Sequence, residues 1–177
     1  MWNNIWSSTH GPSLITEVTL ASSALDEWRN TCVAKKDNTP IFCAVKATQM
    51  VFNGYGAQET CDMLVQALIH PFMPAFEVCS DNTVWARFSA AVFSYQEERI
   101  KIITAVPSKL AYVSGSRPFR FNKDAHHRFL AHVIAYRRSH VKVTQENLRR
   151  IQALGLLNSC AIIQNNGSAV GEFAFLI

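Results

Sequence analysis

Residues 73–92 read Met73-Pro-Ala-Phe-Glu-Val-Cys-Ser-Asp-Asn-Thr-Val-Trp-Ala-Arg-Phe-Ser-Ala-Ala-Val92, and their periodicity decides what fold the chain can form. Phe76 and Val78 alternate with Glu77 and Cys79, and Val84, Ala86 and Phe88 alternate with Trp85 and Arg87. A period of two puts successive side chains on opposite faces of a strand. Ser80-Asp81-Asn82 between the runs reads as a turn. The stretch therefore predicts two short antiparallel strands. From Ser89 a helical period takes over, with Val92, Tyr95, Arg99 and Ile102 on one side and Phe93, Ile100 and Ile103 beside them, until Pro107.

Upstream the pattern is helical. Ser23 reads as an N-cap ahead of a Leu25, Trp28, Cys32 stripe, and Lys35-Lys36 suits the C-terminal dipole. Thr39-Pro40 starts a second helix, with Ile41, Val45, Thr48 and Phe52 on one face and Asn53-Gly54 as its stop. A third runs from Ala57 to His70 on a Cys61, Leu64, Val65, Leu68 stripe, ended by Pro71 and Pro74. Residues 1–22, with Gly11-Pro12 and with Trp2, Ile5 and Trp6, read as an arm with little regular structure.

Downstream, residues 105–122 read as a long basic loop. A helix follows from Lys123 to Ser139, with Phe129, Leu130, Val133, Ile134 and Tyr136 inward. Thr144 caps a short helix ending at Gly155, and Asn166-Gly167 between apolar runs predicts a hairpin. The expected fold is mainly α: an antiparallel four-helix bundle with a small antiparallel sheet at one end. It forms a single domain, 1–177, made of an arm (1–22), a bundle core (23–157) with strands near 75–88, and a C-terminal hairpin (158–177).

Apolar residues make up 49% of the 177, which excludes a disordered chain, while only 17% are charged. A surface so poor in charge suits a subunit covered by neighbours. The charge is also divided. Residues 1–98 carry five Lys and Arg against ten acids, residues 99–150 carry twelve against two, and residues 151–177 hold one acid. A net +10 within 99–150 is the footprint of a polyanion partner. Five cysteines without CxxC spacing read as buried thiols of a reducing compartment, not as a disulfide frame. No apolar run reaches the roughly 18 residues of a membrane span, and no secretory leader is visible.

Catalytic and metal chemistry find no pattern. His126, His127, His132 and His140 lack the i, i+4 or i, i+3 spacing of a helical metal pair, and HExxH, GxSxG and GxGxxG are missing. Glu97-Glu98 and Asp26-Glu27 are adjacent and point apart on a helix. Cys43 and Cys61 sit on or beside apolar stripes and read as buried structural thiols rather than nucleophiles. The expectation is no enzyme, no metal and no cofactor. Nucleic-acid binding fits better. Arg99 and Lys101 end one helix; Lys109, Arg117, Arg120 and Lys123 lie in the loop; Arg128, Arg137 and Arg138 follow on the next helix, with Lys142 after it. Tyr112, Phe119 and Phe121 interleave with these cations and can stack on bases. Binding of single-stranded RNA through phosphates, without a base-reading signature, is the expected mode.

The order of elements, the 73–92 stretch, Glu98-Arg99-Ile100-Lys101-Ile102-Ile103 and Ala135-Tyr-Arg-Arg-Ser-His-Val-Lys-Val-Thr-Gln-Glu-Asn-Leu148 together resemble the coat proteins of rod-shaped plant RNA viruses, the tobamovirus type with its furovirus- and pomovirus-like relatives. The resemblance is one of pattern over roughly residues 40–157. It implies a helically self-assembling capsid subunit in the virion and host cytoplasm, with Arg99 facing RNA, Lys101 beside it, and a helix face around Asp124, His127, Arg128 and Ala131 flanking the RNA groove. The RNA-contacting set is then Arg99, Lys101, Arg117, Arg120, Lys123, His127 and Arg128. Three departures stand out: the 103–122 segment lacks the acids the family places there, the C-terminal hairpin has no counterpart, and the N-terminal arm is longer and richer in tryptophan. The alternatives are a non-assembling RNA-binding regulator, such as a viral accessory or suppressor protein, and, third, a small Cys/His enzyme.

Overall fold

The computed structural model describes residues 10–105, 127, 130, 132–137, 141–143, 145–154 and 169–171. The chain falls into two compact units, residues 1–133 and 134–177. It is mainly helical, as the sequence predicts.

In the first unit, α1 (Val18–Lys35) begins five residues before Ser23. The Ser13 hydroxyl accepts from the Ile15 and Thr16 N–H groups at 3.3 and 3.2 Å, and Glu17 Oε2 accepts from the Ser13 N–H at 2.8 Å. Ser23 is interior to the helix, donating to the Thr19 carbonyl one turn back. The arm is thus shorter than residues 1–22, and residues 1–9 lie outside the described set. The expected stripe holds: Leu25, Trp28 and Cys32 are buried, joined by Ala21. Lys36, at φ 49°, closes α1, and Asp37 N–H reaches the Cys32 carbonyl at 3.0 Å.

Next, α2 (Ile41–Ala47) starts after Pro40 as expected but ends well before Asn53. Turns carry Val51, Phe52 and Tyr55 into the core instead. In α3 (Ala57–Gln66) the helix stops short of His70, because Leu68 takes a left-handed φ of 54°. That reversal buries Ile69 and leaves Leu68 only half-buried, a correction to the predicted stripe.

The two strands expected at 75–88 do not form. These residues make α4 (Ala75–Ser80) and the start of the 24-residue α5 (Asn82–Ala105). Asp81 decides the matter: its Oδ1 accepts from the Thr83 and Val84 N–H groups at 2.7 and 3.0 Å. The would-be hairpin turn is a helix N-cap. Trp85, Phe88, Val92 and Tyr95, spaced i, i+3, i+7, i+10, are all buried, so the period is 3.6 from the first turn of α5. Extended pairing does occur, but between the entries to α2 and α4. Pro40 and Pro74 form an antiparallel bridge, with Ile41 N–H to the Met73 carbonyl at 2.8 Å and Ala75 N–H to the Thr39 carbonyl at 2.9 Å.

The helices pack α1 on α4, α2 on α3, and α5 on both α3 and α4. At the centre, Trp28 meets Phe52 edge-on at 4.8 Å and stacks on Phe88 and Trp85 at 6.1 and 6.4 Å. Arg29 seals the α4–α5 junction. Its Nε donates to the Cys79 carbonyl at 2.8 Å, its other arm to Asn82 Oδ1 at 2.6 Å, and its guanidinium lies 4.8 Å from the Trp85 ring. The Tyr55 hydroxyl donates to the Val92 carbonyl at 2.6 Å, which ties the 48–55 turns to α5.

The helix expected at 123–139 falls largely outside the described residues. His127 and Leu130 are helical, but residues 132–137 are not, and Arg137 takes a φ of 55°. Leu130 is 37% exposed rather than inward, whereas Val133 is buried. In the second unit, β1 (Val141–Val143) pairs antiparallel with β2 (Ala169–Gly171), Lys142 opposite Val170. Between them α6 (Gln145–Ala153) matches the predicted short helix and buries Ile151. Of the C-terminal hairpin only residues 169–171 are described, and their partner is β1.

Candidate nucleic-acid interface

Of the seven residues expected to contact RNA, Arg99, Lys101 and His127 are described; Arg117, Arg120, Lys123 and Arg128 lie outside the described residues, as do Tyr112, Phe119 and Phe121. Arg99 and Lys101 sit two apart near the end of α5, which turns them to opposite sides of the helix. Arg99 faces α3. Its side chain is 13% exposed, 4.0 Å from Glu59 Oε1, and its guanidinium is 5.8 Å from the Tyr95 ring. Asp62, fully buried on α3, belongs to the same polar seam between α3 and α5. Burial raises the Tyr95 hydroxyl well above its ordinary value, with Asp62 and Glu59 adding to the rise and Arg99 opposing it.

Lys101 faces outward. Its ammonium is 70% exposed and 3.7 Å from Glu97 Oε2, one helical turn back. An exposed i, i+4 pair of this kind is worth little to stability. His127 is exposed in a helical turn of the same unit. The structure therefore makes two of the three described residues accessible and ties the third, Arg99, to α3.

Other cations of the basic stretch belong to the second unit. Arg137 is exposed, with its guanidinium 5.3 Å from the Tyr136 ring. Arg149 and Arg150 are exposed on α6, whose opposite side buries Ile151. This arginine pair is not among the seven expected contacts, although an amphipathic wheel through Ile151 keeps both arginines off the buried side. Glu59 had no signal at all, since forty residues separate it from Arg99.

Among the described residues no group of three His, Cys, Asp or Glu could hold a metal ion. Burial pushes the Cys61 thiol up to about 11, and burial likewise raises Cys32 and Cys79, whose side chains hydrogen-bond to one another. These three are the buried thiols the sequence predicts. Cys43 is not: it is exposed on α2, on the side away from Ile41, Ala44 and Val45. Cys160 lies outside the described residues. No helix among the described residues is long and apolar enough to cross a membrane. No protein-family model, no curated protein and no solved structure matches the chain.

Proposed function

We propose that this protein is a structural, non-enzymatic subunit that binds single-stranded RNA through residues 99–150 and associates with copies of itself, as a viral coat protein assembling helically on RNA does. One observation carries the reading: twelve Lys and Arg against two acids in that stretch, beside a 98-residue stretch with an excess of acids. Arg99 and Lys101 meet Glu59 and Glu97 from outside the stretch, and a phosphate backbone neutralises the remaining excess of cations and releases counterions. Low charge content elsewhere supports lateral packing, and multivalent attachment turns weak contacts per subunit into a stable filament. In this reading the helices are arranged as an antiparallel four-helix bundle in the virion and host cytoplasm, and Lys101, His127, Arg149 and Arg150 are among the side chains that donate to phosphate oxygens.

A second reading is favoured by one finding. The strand pair at 75–88, part of the resemblance to rod-shaped coat proteins, is helical here. A non-assembling RNA-binding regulator needs no such strands. Electron microscopy of the purified chain mixed with a long unstructured RNA separates the two. Rods or discs support the coat reading, dispersed RNA-bound particles the regulator, and absence of retained RNA contradicts both.

A further inference from the structure

The outer side of α1 is acidic in a way the core does not require. Glu17, Leu20, Ala24 and Glu27 form one stripe at i, i+3, i+7, i+10, about a quarter turn round the helix from the buried Ala21, Leu25, Trp28 and Cys32. Together with Pro12 and Ser23 they line an open groove. At 1.5 Å per residue the two carboxylates stand about 15 Å apart along the helix. Leu20 between them is 61% exposed.

Among the described residues lining the groove, His10 is the sole basic side chain. Residues 10–28 contain three carboxylates, Glu17, Asp26 and Glu27, and no Lys or Arg. Arg29, the next cation in sequence, is turned to the Cys79 carbonyl, Asn82 and the Trp85 ring. Glu17 accepts one backbone N–H, from Ser13, which leaves its charge in place. An apolar floor between two carboxylates fits a segment that carries both apolar side chains and cations.

The chain itself holds such a segment. We propose that the α1 groove docks the basic stretch, residues 99–150, of a second copy. The proposal rests on the self-association part of the reading above and gives it a surface. The two segments are complementary in charge, a net −3 over residues 10–28 against a net +10 over residues 99–150. Leu154, 42% exposed just beyond that stretch, and Leu130, inside it, offer apolar side chains for Leu20. Twelve cations outnumber the three carboxylates, so most remain for RNA. The contact is head-to-tail, groove of one copy to basic stretch of the next, and such contacts propagate into rings or filaments.

The test is sedimentation equilibrium of the full chain without RNA, at low and high salt, on the wild type, Glu27→Lys and Leu20→Ser. In parallel, fluorescence polarisation with labelled oligo(U) measures RNA binding. The expected result is salt-sensitive association of the wild type, weakened about tenfold or more by Glu27→Lys and also by Leu20→Ser. Oligo(U) affinity should stay within about twofold, since neither residue lies in the basic stretch. Unchanged association in both variants overturns the groove assignment while leaving RNA binding and assembly standing. A wild type that stays monomeric at low salt overturns the groove and the self-association together. Loss of association on removal of residues 1–9 overturns it too, because it makes the N-terminus of the next copy the occupant.

Discussion

Replacing Arg29 with alanine tests the helical junction at residues 80–82 against the strand pair that the alternating sequence suggests. The Cys79 carbonyl lies at the C-terminal end of α4, where carbonyls lack an intrahelical donor, and Arg29 Nε meets it at 2.8 Å in a part-buried setting. A hydrogen bond from a charged donor contributes about 1.5 kcal/mol. The guanidinium face 4.8 Å from Trp85 adds about 0.5 kcal/mol. The bond to Asn82 is exposed and adds little. Arg29→Ala should therefore destabilise the protein by about 2 kcal/mol, or lower Tm by about 6–10 °C for a unit of this size. Arg29→Lys, which keeps charge but loses the fork, should fall between. Far-UV circular dichroism melts and urea titrations measure both. A shift under about 1 °C for Arg29→Ala would falsify the junction, since a hairpin at 76–88 leaves Arg29 nothing to cap.

Other predictions follow from single contacts. Tyr55→Phe removes a buried hydrogen bond to the Val92 carbonyl and should cost about 1–2 kcal/mol in urea unfolding; a neutral result contradicts that bond. The Asp81 carboxylate is held below its ordinary 3.8 by the N–H groups of Val84 and Thr83. Its contribution is complete above the unfolded value and is lost as pH falls through the lower folded one. The urea midpoint should therefore drop below about pH 4 more steeply for the wild type than for Asp81→Asn. Thiol labelling with peptide mapping should modify Cys43 quickly in the native protein but Cys32, Cys61 and Cys79 only after unfolding; equal rates contradict the burial pattern. Lys101→Ala should leave stability nearly unchanged and reduce the salt slope of RNA binding by somewhat under one unit.

Particular residues show what was legible. Leu25, Trp28 and Cys32 could be read as a buried face because three spaced apolar residues on a polar background admit one helical solution. The 76–88 stretch admits two. Val84, Ala86 and Phe88 satisfy a strand, while Trp85, Phe88, Val92 and Tyr95 satisfy a helix, and the choice lies with Asp81. The same Asp can sit in a turn or cap a helix, so local chemistry alone does not choose. Helix ends were harder still: Leu68 enters the left-handed region without being Gly or Asn. In the site, the Glu97–Lys101 pair follows from i, i+4 spacing. The Arg99–Glu59 contact joins α5 to α3 and depends on how two helices pack.

The function proposed for this protein depends on residues 99–150 binding a phosphate backbone. The most direct measurement is the affinity of the full chain for labelled oligo(U) as a function of salt, by fluorescence polarisation. With about five phosphates engaged, log K against log salt should fall with a slope of about −3.5, and affinity should be nearly the same for other single-stranded sequences. Absence of binding at about 50 mM salt, or binding that salt does not weaken, would contradict the account.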